Sequence, residues 1–101
     1  MKNQEKILYS LLIEIRDKKN IPTYMDYNIS KDEFGHIVEM ALKEGYIDNA
    51  EVLRGGIGYR VEAVLLDKAQ ITLKGLNYIK ENSKLAKTYK GLKEIKDWIK
   101  F

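Results

Sequence analysis

Residues 29–66, ISKDEFGHIVEMALKEGYIDNAEVLRGGIGYRVEAVLL, decide the fold. Ser30 followed by Glu33 has the spacing of a capping box, in which two side chains satisfy backbone N–H groups of the first helical turn. Ile29 and Phe34 flank it as a hydrophobic staple. Phe34, Ile37, Val38, Ala41 and Leu42 recur along one helical face, and Gly45 stands where a left-handed residue ends a helix. This spacing predicts a helix over 30–45. Beyond Gly45 the period drops to two, with Tyr59, Val61, Ala63 and Leu65 alternating with Arg60 and Glu62. Gly55-Gly56-Ile57-Gly58 supplies the positive φ of a tight turn, so 46–66 predicts a strand (Tyr46–Arg54), a turn and a strand (Tyr59–Leu66).

Upstream, Ile7, Leu8, Leu11, Leu12 and Ile15 form one broad apolar stripe and predict a helix over 3–19. Glu14 and Lys18 are spaced as an i,i+4 ion pair. Asn20 and Pro22 mark the end of that helix. Residues 22–29 predict a helix of one or two turns opened by Pro22. Downstream, Ala69-Gln70-Ile71 reads as a third short strand. Thr72 caps a helix to about Glu81, with Ile71 and Leu76 as a second staple. Ser83 then caps a final helix with Leu85, Tyr89, Leu92, Ile95 and Ile99 on one face. This order is that of a winged helix-turn-helix: an α+β fold with a three-helix core, a β-hairpin wing and one or two extra C-terminal helices. The chain reads as one domain, 1–101, with 82–101 as a helical extension and no internal repeat or linker.

Composition narrows the function. The 101 residues are 45% apolar and 33% charged, the balance of a globular chain. Surface scaling predicts that about two thirds of the unfolded area is buried at this length. There is no cysteine, which excludes thiol catalysis, thiolate metal sites and disulfide scaffolds. No apolar run is long enough to span a bilayer, and Met1–Glu5 lacks a signal-peptide core, so the expected location is the cytoplasm. The net charge of +3 is unevenly spread. From Lys84 onward six lysines face two acids, a net +4, and the preceding 83 residues sum to −1.

Three segments carry a resemblance to a known family: Ile29 to Phe34, Lys43 to Ile47, and Ile71 to Asn82. The block Tyr89-Lys90-Gly91-Leu92-Lys93-Glu94-Ile95-Lys96-Asp97-Trp98-Ile99-Lys100 is the most distinctive. Together they resemble the YjcQ family of small proteins of bacteria and their phages. The resemblance covers nearly the whole chain. It implies a winged-helix fold and a phage or prophage setting, and it assigns no catalytic residue.

Binding to double-stranded DNA is the leading expectation, with a regulatory role. A helix over 30–45 would enter the major groove with Lys31, Asp32, Gly35, His36, Glu39 and Lys43 on its solvent side. The segment holds two basic and four acidic side chains, the wrong sign for a phosphate array. The expected nucleic-acid contacts are therefore Lys31 at the helix start, Arg54 and Arg60 on the wing, and Lys87, Lys90 and Lys93 in the tail. Cross-strand pairing with glutamates explains the wing arginines equally well. The glycine run precedes a strand and not a helix, so it does not read as a phosphate-binding loop. The alternative is a protein-interaction module, such as a homodimer through the C-terminal helix, with Leu92, Ile95, Trp98 and Ile99 as its interface. Catalysis is not expected. His36 is the sole histidine, and Ser30 is explained as a cap, so a Ser30–His36–Asp32 grouping lacks support. No metal, cofactor, membrane or small-molecule substrate is inferred.

Overall fold

The structure, a computed structural model, describes residues 3–99. Lys100, counted above among the tail lysines, lies outside the described residues. The fold is α+β and is organised around α1 (Asn3–Asp17). The predicted apolar stripe of α1 is buried, and so are Tyr9, Ser10, Ile13 and Glu14 between its members. A helix with one exposed face would leave those positions in water. Here the helices at 31–43 and 73–81 and the short strand at 70–71 pack on it, and the C-terminal segment reaches it through Tyr89 and Trp98.

α1 ends earlier than the sequence suggested. The left-handed residue is Lys18, at φ 55°, and not Asn20. Apolar side chains stop at Ile15 and residues 16–20 are exposed, so nothing rewards further helix. The expected Glu14–Lys18 ion pair is absent, because the Glu14 side chain turns into the protein. Residues 22–29 form no helix either. A turn spans 24–28, in which the Asp26 carboxylate accepts from the Thr23 N–H at 2.7 Å and the Thr23 hydroxyl at 3.2 Å. Asn28 at φ 54° stops it before a second turn, where the cost of helix nucleation is unrecovered.

α2 (Lys31–Lys43) is capped as predicted, with Ser30 Oγ accepting from the Glu33 N–H at 3.0 Å. At its end Gly45 takes φ 78°, its N–H reaches the Leu42 carbonyl at 3.0 Å, and the Tyr46 N–H reaches the Ala41 carbonyl at 2.9 Å. These two bonds are the Schellman closure of a helix. The expected single strand Tyr46–Arg54 is split at Asn49 (φ 59°) into β1 (Ile47–Asp48) and β2 (Glu51–Gly55). β2 pairs antiparallel with β3 (Arg60–Leu65), with an irregularity after Leu53 that leaves Glu62 out of register. β1 pairs instead with β4 (Gln70–Ile71), matching Ile47 to Ile71.

α3 (Leu73–Glu81) is capped by Thr72, which accepts from the Gly75 N–H at 3.0 Å. The predicted continuous last helix is broken into α4 (Ser83–Ala86), a 3-10 turn (Leu92–Glu94) and α5 (Ile95–Trp98). Asn82, and not Ser83, occupies the cap position of α4. The helical run stops at Ala86 and resumes at Leu92, and Gly91 just before the restart takes φ 96° and ψ 177°, a region that essentially only glycine enters. That geometry lets the chain fold back on α1. Leu85, Ile95 and Ile99 are buried in the common core, with Tyr89, Leu92 and Trp98 packed against it.

Candidate functional site

The hairpin is fastened to one side of α2 by three residues spaced for a single helical face. The Asp32 carboxylate accepts from the Val61 N–H at 2.6 Å. Gly35 is buried where a Cβ would stand 2.6 Å from Val61 Cγ2 and 3.2 Å from Val52 Cγ1. Glu39 accepts two bonds from Arg54, at 2.6 and 2.9 Å. The sequence placed Asp32, Gly35 and Glu39 on a free face. The structure spends them on holding the hairpin. Of the six expected α2 residues, His36 and Lys43 stay exposed without such a contact.

The wing cations divide accordingly. Arg54 is neutralised in place, since its bidentate bond to Glu39 is the kind that fixes geometry as well as charge. The same bond holds the Glu39 carboxyl below the usual range, against a smaller opposing effect of burial. Arg54 also donates to the Tyr59 carbonyl at 3.1 Å. Lys31 donates to the Glu62 carbonyl at 3.4 Å and lies 5.7 Å from the Tyr24 ring centre. Arg60 is exposed, beside a turn whose Ile57 is 99% accessible.

A second surface lies on the far side of α1. The Tyr89 phenol enters the core, donating to Glu14 Oε2 at 2.7 Å and standing 2.7 Å from Ser10 Oγ, which is 2.9 Å from the Tyr27 hydroxyl. Burial pushes the ionisation of Tyr27 well above the ordinary tyrosine value, and that of Tyr89 as well, where the Glu14 carboxylate adds to the shift. Both phenols therefore stay neutral to higher pH than an exposed tyrosine. Tyr9, Tyr89 and Trp98 form an aromatic cluster, with Tyr89 and Trp98 centres 4.9 Å apart and edge-on. Lys6 seals it, donating to the Trp98 carbonyl at 3.0 Å, and the indole N–H donates to Thr88 Oγ1 at 2.8 Å.

Anchored this way, the segment from Ala86 to Lys93 and the end of α1 form the walls of a groove of about 480 Å³. Arg16 enters it from the last turn of α1, Lys19 from just past its end, and Lys90 and Lys93 from the tail. Its two acids are already engaged: Asp17 pairs with Arg16 at 2.8 Å and Glu14 holds Tyr89. The adjoining hollow adds Lys87, beside Glu94 and Asp97. Lys87, Lys90 and Lys93, named from the sequence, are therefore together on one side. Arg16 and Lys19 were missed, although the exposed run Arg16-Asp17-Lys18-Lys19 was the available signal. Of the four expected interface residues, Ile95 and Ile99 are buried in the core of their own chain, and Leu92 and Trp98 are half-buried against it. No helix among the described residues is long and apolar enough to cross a membrane.

A family model described as YjcQ protein matches residues 5–98. The chain is 37% identical over 100 residues to the uncharacterized protein YjcQ of Bacillus subtilis (strain 168), an alignment spanning 97% of this chain and 99% of that relative. No solved structure matches.

Proposed function

The chain belongs to the YjcQ family, and from that premise we propose that it is a winged-helix protein that acts in the cytoplasm by binding duplex DNA, without catalysis. The order α1, turn, α2, hairpin supports the winged-helix reading, with β2–β3 as the wing and the turn at 24–28 standing where the expected three-helix core had its second helix. A regulatory role in a phage or prophage setting is part of the same proposal. The nucleic acid is held along the groove between α1 and the tail, and α2 is not its main reader. One observation carries this: Lys19, Lys90 and Lys93 line one groove and neither of its acids is bonded to them, Asp17 pairing with Arg16 and Glu14 accepting from Tyr89, so their charge is available to phosphate. The hairpin covers the side of α2 that would otherwise face a groove. The Ser30 hydroxyl is committed to capping and His36 stands apart on the exposed surface, which favours binding over chemistry.

The test is titration of a labelled duplex at two or more salt concentrations. About four neutralised phosphates give a slope of log K against log salt of roughly −3 to −4. No binding at low salt, or binding that salt does not weaken, overturns the proposal. A second reading, a protein-interaction module, is favoured by the hairpin's exposed apolar residues, Ile57 at 99%, Leu53 at 44% and Leu65 at 42% accessible. A salt-insensitive oligomer by light scattering is its signature.

A further inference from the structure

We propose that the outer face of the β2–β3 hairpin joins two copies of this chain, stacked face to face with their strands running in opposite directions. The proposal rests on the interaction-module reading and not on DNA binding, and it names the surface and the partner. The register separates the two faces of the hairpin. Val52 pairs with Val64 and Arg54 with Val61. These turn inward, since Val52 and Val61 meet Gly35 of α2 and Arg54 bonds Glu39. The alternate pairs, Glu51 with Leu65, Leu53 with Ala63 and Gly55 with Arg60, therefore point outward. Leu53 is 44% and Leu65 42% accessible, and neither belongs to the core or packs against it. The two are diagonal neighbours across the strands, so with Ala63 they make one apolar centre.

Charge selects the occupant. Glu51 stands at one end of this face and Arg60 at the other, both exposed and neither in an ion pair among the described residues. The Glu62 carboxylate lies over Gly55 at the Arg60 end, where a Cβ on Gly55 would be 2.8 Å from Glu62 Oε1. A face with an apolar centre and opposite, unpaired charges at its ends is complementary to itself when turned end for end. Self-complementarity is what a two-fold interface requires. In that arrangement Leu53 meets Leu53 of the partner subunit, and Arg60 stands between its own Glu62 and the partner's Glu51. Stacking with the strands parallel instead sets Glu51 against the partner's Glu51 and Arg60 against the partner's Arg60, which like charge disfavours. Packed sheets lie about 10 Å apart, a gap that facing leucines fill and an arginine–glutamate pair spans. β2 is five residues long, so the contact is smaller than a standard interface and the dimer is a reversible one. None of the residues lining the basic groove is on this face, so pairing does not use them.

The experiment is sedimentation velocity of the full chain from about 10 µM to about 1 mM at fixed ionic strength. The wild type is expected to pass from monomer to dimer within that range. Leu53→Ser and Arg60→Glu change exposed side chains, so the fold is kept, and each is expected to weaken the dimer about tenfold or more. Glu51→Arg mixed with Arg60→Glu is expected to form a mixed dimer tighter than either variant forms alone. The two reversed charges then face one another at one end, and the native pair is kept at the other. A dimer that persists unchanged in Leu53→Ser and Arg60→Glu overturns this surface while keeping the interaction-module reading. A monomer over the whole range, or a mixture no tighter than the separate variants, overturns the pairing itself. None of these outcomes bears on the duplex titration.

Discussion

Replacing Tyr89 by Phe removes one oxygen and tests how the tail is attached. In the native protein that hydroxyl satisfies Glu14 Oε2 and Ser10 Oγ, both on the buried stretch of α1. Ser10 keeps its bond to Tyr27, but Glu14 loses the one it has in the interior. Leaving a buried acceptor unsatisfied costs about 1–3 kcal/mol, more when it is charged. The ring still packs against Trp98, so little apolar area is lost. The pH dependence is a separate check on the same bond. The folded-state ionisation of Tyr89 and Tyr27 is raised above the unfolded value near 10, chiefly by burial. Their stabilisation is therefore complete below pH 10 and declines as the pH rises beyond it. Each phenol contributes a slope approaching about 1.4 kcal/mol per pH unit in that region. Urea unfolding of wild type and Tyr89→Phe, at pH 7 and at intervals above pH 10, measures both effects. The variant should be less stable at pH 7 and its alkaline slope shallower by about 1.4 kcal/mol per unit. Equal stability at pH 7 together with an equal alkaline slope would refute the buried attachment.

Gly91→Ala meets no steric obstacle, since nothing lies within 4 Å of a Cβ there, yet its backbone geometry costs about 1–3 kcal/mol. The expected result in hydrogen exchange is faster opening of 92–99 with α2 protection unchanged. Glu39→Gln weakens the clasp between α2 and Arg54. The Glu39 ionisation is depressed by Arg54, so the stabilisation is present at neutral pH and lost as the pH falls through the folded-state value. Acid titration of stability should show wild type and variant differing slightly at pH 7, because the carboxylate side chain is 38% exposed, and converging once the carboxylate is protonated.

Much of the fold was legible because local rules and tertiary structure agree at the relevant positions. Ser30, Glu33 and Gly45 delimit α2 by bonds that depend only on neighbouring residues. The alternation around Gly55–Gly58 gives the hairpin for the same reason. The failures lie where distant contacts override local preference. Residues 82–99 carry a helical spacing of apolar side chains, but one glycine in a rare backbone region turns them back over α1. Ser10 and Glu14 look like the polar face of an amphipathic helix, and are buried because Tyr89, 79 and 75 positions away, supplies their hydrogen bonds. Asp32 and Glu39 read as solvent-facing acids that disfavour DNA. Their partners, the Val61 amide and Arg54, are brought to them by the hairpin. The tail lysines were found from charge asymmetry, which is a property of sequence. Their convergence with Arg16 and Lys19 depends on the reversal at Gly91 and was not visible in it.

The most direct measurement is the salt dependence of duplex binding for two sets of charge-neutralised variants. Lys19→Gln, Lys90→Gln, Lys93→Gln removes the groove's unpaired cations and should flatten the log–log slope by about 2.7, while Lys31→Gln, Arg54→Gln should change it by less than about one. Equal slopes for wild type and the groove variant, or the larger loss in the Lys31 and Arg54 pair, would contradict binding along the α1–tail groove.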